Sequence, residues 1–261
     1  MRLIEEALNK LDKINIKDLI GRKDPLSKAR KEYKFLVPLK VLPQVIEELK
    51  EDFICSTHDE GAFFSYTSTY FDTEDLSFFN AHRRSKPNRI KVRIREYKSG
   101  VRNAFVECKK KSKGIYSQKD RKKIGENPTI NWTREVLGED CIVGNLECHR
   151  LCHEDLEQTM HIEYKRIFLM GKNFTKRVTI DFEIKCTNHR KESTQIIPGY
   201  CIFEVKEEGI PKKIMQKLRR NYKVRQQGFS KYCISMCTLN PEVKSNRWKQ
   251  TLKHNKIPCE K

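Results

Sequence analysis

The sequence contains no long apolar run. No segment approaches the roughly 20 consecutive apolar residues that a membrane-spanning helix needs, and residues 1–6 (MRLIEE) lack the apolar stretch of a signal peptide. We therefore expect no transmembrane segment in this chain, a cytoplasmic location, and reduced thiols for its ten cysteines. Whether a partner protein brings the chain to a membrane stays open.

The sequence also lacks the local motifs that commonly bind nucleotides or nucleic acids. It has no Walker A loop, no kinase signature and no RNP1-like segment. Internal repeats and low-complexity blocks are absent as well. We therefore expect no specific nucleic-acid partner, and a nucleotide would have to be held by residues that lie far apart in the sequence.

Acidic residues are scarce relative to basic ones. The chain has 54 Lys and Arg residues against 35 Asp and Glu residues, which gives a formal net charge of +19. This excess favours an anionic partner, such as nucleic acid, an acidic membrane or a phosphate-rich small molecule. Because hydrophobic residues make up 37% of the chain and charged residues 34%, the composition suits a fold with charge inside as well as outside.

The segment from Arg89 to Tyr97 shows where much of this charge lies. Basic residues occupy every second position, at Arg89, Lys91, Arg93 and Arg95, and isoleucine or valine lies between them. Successive side chains of a strand point to opposite faces, so this strand has one apolar face and one cationic face. A solvated outer surface would explain the cationic face, and so would a polyanion bound along it.

Similar alternation in other segments favours an internal polar surface. Alternate positions of residues 105–111, 177–181 and 203–206 carry charged side chains: Glu107, Lys109 and Lys111; Arg177 and Asp181; and Glu204 and Lys206. An antiparallel barrel with a polar lumen would explain all of these strands together, because inward and outward positions alternate along every barrel strand.

Local patterns divide the chain into three parts. We expect a helical N-terminal segment at residues 1–27, a central domain at residues 28–238, and a basic, mobile tail at residues 239–261. Further helices are expected at residues 39–52 and 131–158, and from Pro211 and Phe229 onward.

Nine short motifs follow one another in a fixed order. They are Glu32-Tyr-Lys34, Tyr70-Phe-Asp-Thr73, Arg93-Ile-Arg95, Glu107-x-Lys109, Lys119-x-Arg121, Tyr164-x-Arg166, Arg177-x-Thr-x-Asp181, Glu204-x-Lys206 and Ser230-Lys231. Taken alone, Glu32-x-Lys34 and Glu204-x-Lys206 are typical of exposed strand ion pairs, Glu107 and Lys109 of a cross-strand pair, which is worth little at a surface, and Asp181 could simply pair with Arg177. Together and in this order the nine motifs resemble the VTC domain, the polyphosphate polymerase domain of the vacuolar transporter chaperone complex and of its stand-alone prokaryotic relatives. The resemblance covers about residues 28–238.

The resemblance implies a fold and an activity. The family belongs to the triphosphate tunnel metalloenzymes, so it implies an α+β fold with an eight-stranded antiparallel β-barrel tunnel and helices packed outside. It implies transfer of the γ-phosphate of ATP to a growing polyphosphate chain inside the tunnel. ATP and inorganic polyphosphate are the implied partners, and Mn²⁺ or Mg²⁺ is the implied cofactor.

The motifs also imply roles for particular side chains, since phosphoryl transfer depends mostly on positioning and charge stabilisation. The expected catalytic residues are Lys34, Arg93, Arg95, Lys109, Arg166, Arg177 and Lys231. The expected phosphate-binding residues are Lys91, Lys111, Lys119, Arg121, Tyr164, Lys206 and Ser230. Glu204 is the first choice for a metal ligand, with Glu107, Asp181 and Glu32 as further candidates.

The sequence departs from related patterns at three places. Many tunnel hydrolases carry Glu-x-Glu-x-Lys on their first strand, whereas Arg30 takes the position of the first glutamate here. Fungal VTC domains carry a histidine two residues after the Glu-x-Lys motif, and Lys111 stands there instead. We expect no SPX domain before the tunnel, and hence no regulation by inositol pyrophosphate through one.

Two other functions remain as alternatives to the polymerase. The same lumen could belong to a hydrolase of tripolyphosphate or nucleoside triphosphates, although Arg30 in place of a carboxylate favours the polymerase. A non-catalytic module that binds polyphosphate or RNA would also explain the net charge of +19.

Two further local patterns have ordinary structural explanations. Cys148, His149, Cys152 and His153 have the residue types of a zinc site, but no second pair follows at zinc-finger spacing. Buried thiols beside surface histidines are therefore expected, with zinc as the open alternative. The Arg219-Arg220 pair is expected to lie on a solvated helix face.

Overall fold

A large, mainly antiparallel β-sheet organises the chain. The computed structural model describes residues 1–19, 31–59, 61–100, 102–113, 116–125, 146, 153–207 and 210–254. Within these ranges the sheet has 11 strands. They are β1 (Lys13–Asn15), β2 (Lys31–Pro38), β3 (Phe53–Thr57), β4 (Phe64–Thr73), β5 (Arg89–Tyr97), β6 (Asn103–Ser112), β7 (Tyr116–Gly125), β8 (Leu156–Gly171), β9 (Lys176–Asn188), β10 (Ser193–Gln195) and β11 (Tyr200–Glu207).

Short helices surround or cap this sheet. The α-helices among the described residues are α1 (Arg2–Asn9), α2 (Leu42–Glu47), α3 (Ser77–Arg83), α4 (Lys212–Tyr222), α5 (Lys231–Leu239) and α6 (Lys249–Lys253). Single 3₁₀ turns lie at Ile16–Leu19, Leu39–Val41, His153–Asp155 and Asn246–Trp248.

The main path of the sheet runs β2-β11-β9-β8-β4-β5-β6-β7. The other strands join its side: β3 pairs with β8, β1 pairs in parallel with β3, and β10 pairs with β9. The predicted closed, eight-stranded barrel is therefore wrong in its closure and strand count. In the described part of the chain the end strands β2 and β7 do not pair, and the sheet is an open, tunnel-like antiparallel structure.

Side chains bridge part of the gap that backbone pairing leaves. Lys109 on β6 extends its ammonium to within 3.2 Å of the carboxylate of Glu32 on β2, near the other end of the strand path. The sheet is therefore curved enough to bring the inner faces of its distant strands within ion-pair distance.

The predicted alternation is present in the sheet. Outward side chains of β2, β8, β9 and β11 form one core with α1, α2 and α4. Outward side chains of β5 and β6, among them Ile90, Val92 and Val106, form a smaller core with α3. A further core lies on the concave face, where Tyr232 and Ile234 of α5 pack on β8 and β9.

The N-terminal segment is less helical than its apolar periodicity predicts. Helix α1 ends at Asn9, and Lys13–Asn15 form β1, which pairs with Cys55–Thr57. The backbone of this segment thus takes its hydrogen bonds from a neighbouring strand, and tertiary pairing overrides the local pattern. The helix expected at residues 39–52 is likewise reduced to a 3₁₀ turn and the six residues of α2.

Two other expectations meet the structure only in part. The helix expected at residues 131–158 lies mostly outside the described residues, but Leu156 already begins strand β8. The tail expected to be mobile contains α6, and Trp248 is buried against Phe79 with ring centroids 5.7 Å apart. Trp248 therefore packs this part of the segment against the domain, and the mobility of residues 239–261 stays a prediction.

Candidate active site

The inward positions of the strands form a charged surface with two unlike sides. We call Glu32, Lys34, Asp181, Glu204 and Lys206 of β2, β9 and β11 the paired wall. We call the inward basic residues of β5, β6 and β7 the cationic wall. The cationic wall consists of Arg89, Lys91, Arg93, Arg95, Lys109, Lys111, Lys119 and Arg121.

The paired wall is a closely packed set of opposite charges. The ammonium of Lys34 lies 3.2 Å from Glu32 and 2.7 Å from Glu204. Lys206 lies 2.9 Å from Glu204 and 3.5 Å from Glu32. These contacts follow from strand pairing, because Glu204 lies directly opposite Lys34 and Lys206 lies directly opposite Glu32.

The paired charges stabilise one another. Burial and Glu204 oppose the ionisation of Glu32, but Lys206, Lys34 and Lys109 together hold its pKa well below the usual range. Burial also opposes the charge of Lys34, yet Glu204 and Glu32 raise the pKa of Lys34 above its ordinary value. For Lys206, burial outweighs both carboxylates and lowers its pKa.

Asp181 extends the paired wall toward helix α5. It accepts two hydrogen bonds from the guanidinium of Arg166, at 2.5 and 2.8 Å, and forms an ion pair with Lys231. Burial opposes ionisation here, but Arg166 and Lys231 hold the pKa of Asp181 well below its usual range. Both carboxylate oxygens of Asp181 are thus engaged by cations, and its side chain is only 4% exposed.

The cationic wall contains one inward carboxylate among its described residues. Glu107 is almost fully buried and pairs with Arg93 at 2.6 Å and with Lys119. Arg93 also donates a hydrogen bond of 3.0 Å to the hydroxyl of Tyr70. Glu107 is therefore saturated by cations in the same way as Asp181, and orients Arg93 instead of presenting free oxygen ligands.

Like charges face each other elsewhere on the cationic wall. Arg89 lies directly opposite Lys111, and Lys91 lies directly opposite Lys109. Such cross-strand pairs are destabilising in the absence of an anion. Burial, together with the charges of Lys109 and Lys34, lowers the pKa of Lys91 to about 8.

Helix α5 begins inside this charged region. Its N-cap residue, Ser230, accepts a hydrogen bond from the backbone N–H of Cys233 and another, at 3.0 Å, from the ammonium of Lys91. Lys231 follows in the first turn, with its ammonium 4.4 Å from the ring centroid of Tyr164. The positive end of the helix therefore adds to the cations of both walls.

Two buried hydroxyl groups in the lumen lack a hydrogen-bond partner within the described ranges. They belong to Tyr164 on β8 and Thr179 on β9, which are 3% exposed each. Thr179 lies directly opposite Glu204 in the sheet, and Arg166 lies 5.5 Å from the ring of Tyr164. Buried hydroxyls are rarely left unpaired in proteins, so both are suited to meet ligand oxygen atoms.

Few side chains in the described part of the chain could coordinate a metal ion. No group of three or more His, Cys, Asp or Glu side chains with the geometry of a metal site occurs among the residues that the structure describes. Glu32 and Glu204 also contact lysines, but their side chains are 25% and 14% exposed. Because Asp181 and Glu107 are only 4% and 1% exposed, Glu32 and Glu204 are the pair that fits best. Mg²⁺ is commonly held by one or two carboxylates, and substrate phosphates and water complete its octahedron. The residues therefore fit a metal that binds together with a phosphate-rich substrate.

The remaining expected site residues lie around this centre. Arg95 is within 3.4 Å of the Ser68 hydroxyl, Arg121 stacks 4.9 Å from the ring of Phe105, and Arg177 lies 5.5 Å from that of Phe168. The structure thus gathers the described residues that the motifs singled out on one concave face. Their roles in function remain predictions.

Some expected features lie elsewhere. Arg30 falls outside the described residues, as do Cys148, His149 and Cys152 of the possible zinc group. Arg219 and Arg220 are exposed on α4. No α-helix in the described ranges is long and apolar enough to cross a membrane.

Sequence patterns missed the tyrosines and the buried carboxylate that support the site. Tyr70 bonds Arg93, Tyr66 lies beneath Arg95 and Arg166, and Tyr232 bonds Asp72. Tyr70 and Asp72 belong to the Tyr70-Phe-Asp-Thr73 motif, and their two-residue spacing on β4 is the sequence signal for a shared face.

The fold is similar to those of solved structures. A candidate adenylate cyclase from Bacillus halodurans aligns with a TM-score of 0.50 at 15% identity, over 77% of this chain and 93% of that chain. A candidate adenylyl cyclase from Hippeastrum with a dominant triphosphatase activity aligns with a TM-score of 0.49 at 12% identity, over 82% and 100% of the two chains. At 15% identity, the alignment with the Bacillus halodurans protein shows a shared fold.

The family relationship is more direct. No curated protein matches the chain. The sequence pattern of the VTC domain, however, matches residues 29–240. Because this match spans well over half of the sequence, the protein belongs to the VTC domain family.

Proposed function

We propose that this protein is an ATP-dependent polyphosphate polymerase, which transfers the γ-phosphate of ATP to the end of a growing polyphosphate chain inside the tunnel. The cationic wall carries the proposal. Its cations face one another across β5 and β6 with Glu107 as their single inward carboxylate among the described residues. A polyphosphate bears about one negative charge per phosphate, so it would supply the anions that this wall lacks.

The arginines and lysines would bind and orient the phosphates. Arg93 and Arg95 offer guanidinium groups, which match phosphate geometry by donating two parallel hydrogen bonds. Lys231 and the backbone N–H groups at the start of α5 would hold a terminal phosphate, because a helix N-terminus attracts anions. Tyr164 would donate its buried hydroxyl hydrogen to a phosphate oxygen.

The transfer requires no nucleophile from the protein. A terminal oxygen of the polyphosphate chain forms a bond to the γ-phosphorus of ATP, the bond to the β–γ bridging oxygen breaks, and ADP leaves. The tunnel holds the two anions in line and offsets the charge that spreads over the transferred group. Arg93, which Glu107 and Tyr70 keep in place, is the side chain best fixed for this purpose.

Glu204 and Glu32 would hold a divalent metal, Mn²⁺ or Mg²⁺. When bound, such an ion neutralises phosphate charge and orients the β- and γ-phosphates. The carboxylates of both residues are ionised at neutral pH because neighbouring lysines lower their pKa values. Thr179 lies opposite Glu204, and its buried hydroxyl would donate a hydrogen bond to a phosphate oxygen of the substrate.

The choice between polymerase and triphosphatase rests on how water would be activated. Glu107 and Asp181 are each held by two cations, so neither is available as a base for water. Arg30, where many tunnel hydrolases have a glutamate, removes another carboxylate. A lumen rich in cations and poor in free carboxylates suits the transfer of phosphate to another phosphate.

Product analysis tests this proposal. The protein is incubated with ATP and Mn²⁺ or Mg²⁺, polymer is stained on a gel, and ADP and free phosphate are measured. We expect polymer and ADP with little early free phosphate, a strong loss of synthesis in Lys231→Ala, and normal synthesis in Arg220→Ala. Stoichiometric free phosphate without polymer would establish a triphosphatase instead. Polyphosphate binding without turnover would establish a binding module.

A further inference from the structure

A buried carboxylate, Asp72, connects three elements behind the lumen. Asp72 is fully buried at the end of β4. Its two oxygens accept hydrogen bonds of 2.8 Å from the backbone N–H groups of Phe78 and Phe79, and one of 2.9 Å from that of Thr73. It also accepts hydrogen bonds from the Thr73 hydroxyl, at 3.5 Å, and from the hydroxyl of Tyr232 on α5, at 2.6 Å.

Asp72 replaces a local cap for helix α3. The N-cap residue of α3 is Leu76, whose side chain cannot accept a hydrogen bond and whose φ is 56°. The carboxylate of Asp72 therefore satisfies the first N–H groups of this helix from a neighbouring strand. This role explains a buried acid beside α3, but it does not explain the additional bond to Tyr232.

Tyr232 brings helix α5 into the same network. Its ring stacks on Tyr70 with centroids 5.1 Å apart and an interplanar angle of 16°. Tyr70 in turn accepts a hydrogen bond from Arg93 of the cationic wall. Tyr232 thus contacts the support of Arg93 with its ring and binds Asp72 with its hydroxyl.

The position of Tyr232 in the chain makes this contact relevant to the site. It immediately follows Ser230 and Lys231, which reach Lys91, Asp181 and the ring of Tyr164. In the first turn of a helix, rotation or translation at Tyr232 moves these two neighbours with it. Fixing Tyr232 therefore fixes where the helix N-terminus points.

An apolar pair would hold α5 without burying a charge. Burial raises the pKa of Asp72 even though Tyr232 and the backbone donors oppose this effect, so the carboxylate is held at an energetic cost. Polar groups kept in a core can specify one arrangement of elements where apolar packing alone would allow several.

We propose that Asp72 and Tyr232 are a positioning pair that sets the register of α5, so that Ser230 and Lys231 face the cationic wall and meet the terminal phosphate of the substrate. Neither residue touches the substrate itself. The identity of that ligand as a phosphate chain rests on the proposed function, whereas the register of α5 does not.

The test removes one hydroxyl group. Tyr232→Phe keeps the ring and its stacking on Tyr70 but loses the bond to Asp72. The matched control is Tyr222→Phe, which removes another tyrosine hydroxyl that donates to a carboxylate at 2.6 Å, here to Glu48 on the outer surface. Binding of inorganic tripolyphosphate without metal is measured by calorimetry, and hydrogen exchange is measured at the amides of Cys233 and Ile234.

We expect Tyr232→Phe to remain folded at 25 °C, to exchange the Cys233 and Ile234 amides about tenfold faster, and to weaken tripolyphosphate binding about tenfold. The amides of β5 and β6 should be unaffected, and Tyr222→Phe should match the wild type in both measurements. If Tyr232 acts by positioning Lys231, its hydroxyl matters little once Lys231 is removed. The double variant should therefore bind tripolyphosphate about as weakly as Lys231→Ala alone.

The outcomes separate this inference from the proposed function. Two results would overturn the positioning role. One is that the losses of tripolyphosphate binding free energy in Tyr232→Phe and Lys231→Ala add in the double variant. The other is that the amides of Cys233 and Ile234 exchange at the wild-type rate in Tyr232→Phe. If the wild-type protein does not bind tripolyphosphate, the proposed function fails, and the exchange measurement still decides whether Asp72 and Tyr232 hold the start of α5.

Discussion

The two walls of the tunnel-like sheet accommodate buried charge in opposite ways. On the paired wall, Lys34 lies between two carboxylates, and its pKa is raised. On the cationic wall, Lys91 lies opposite Lys109, and its pKa is lowered to about 8. Both lysines are on inward positions of strands, so the difference arises from their cross-strand neighbours.

This difference indicates which wall depends on a ligand. Charges that satisfy each other need no further partner and contribute to the folded state, whereas like charges held together by the fold reduce stability until an anion arrives. The charges of the paired wall are therefore balanced in the protein alone, and a metal ion there would compete with Lys34 and Lys206 for Glu204. The cationic wall is the surface that a polyanion would complete.

The largest expected effect concerns the metal site on the paired wall. Glu204→Gln keeps the shape of the side chain but removes the charge that would bind Mn²⁺ or Mg²⁺. We expect metal-dependent turnover to fall about a hundredfold or more, given the several kcal/mol that a bound metal contributes. Turnover is measured across a metal titration.

Glu207→Gln is the control for this variant. Glu207 lies at the end of the same strand and pairs with Lys176 at 3.3 Å, away from the proposed metal. It should retain wild-type turnover. Equal turnover of Glu204→Gln and the wild type at every metal concentration would show that Glu204 is not a ligand.

Removing one lysine from each wall should change stability in opposite directions. Lys34→Met leaves Glu32 and Glu204 facing each other, and we expect the free energy of unfolding to fall by about 2–3 kcal/mol. Lys91→Met removes a buried charge with like-charged neighbours, and we expect a gain of about 1 kcal/mol. Tripolyphosphate binding should weaken in Lys91→Met despite this gain.

Chemical denaturation of Lys34→Met and Lys91→Met at pH 7 measures both changes in the free energy of unfolding. A loss of stability in both would mean that Lys91 is compensated in the folded protein, and the contrast between the walls would be lost. If Lys91→Met gains stability but binds tripolyphosphate as tightly as the wild type, the cationic wall is not the surface that binds the anion.

A smaller effect is expected in the pH dependence of stability. The pKa of Lys91 is about 8 in the folded protein and about 10.4 in an unfolded chain. Between these values the unfolded state binds more protons, so the contribution of Lys91 to the free energy of unfolding rises with pH. The penalty for burying its charge is fully present below pH 8.

Urea denaturation from pH 7 to pH 10 measures this contribution. The wild-type protein should gain stability relative to Lys91→Met as the pH rises through that window, so that the two curves converge. Curves that stay parallel would show that Lys91 has an ordinary pKa in the folded state.

The sequence was sufficient to predict the polar face of the strands. The alternation from Arg89 to Arg95 is local information, because a strand sends alternate side chains to opposite faces wherever it lies. It could not distinguish the two walls, since Lys34 and Lys91 both look like cations on a strand. Their difference depends on register, which places Glu204 opposite one and Lys109 opposite the other.

Longer-range features were harder to predict. The closed barrel was wrong because closure depends on pairing between β2 and β7, which are distant in sequence and do not pair in the described part of the chain. The bond between Asp72 and Tyr232 joins residues 160 positions apart. Helix periodicity likewise placed Lys13 in a helix because it carries no information about the neighbouring strand β3.

Proton uptake on anion binding tests the contrast between the walls most directly. Calorimetry of ATP binding without metal at pH 8.5, in buffers of different ionisation enthalpy, counts the protons that the complex takes up. An anion on the cationic wall should restore the proton of Lys91, so we predict an uptake of roughly 0.5–1 proton by the wild type. The uptake should fall in Lys91→Met and persist in Lys212→Met, which alters an exposed lysine on α4. No uptake by the wild type, or equal uptake in Lys91→Met, would contradict the account.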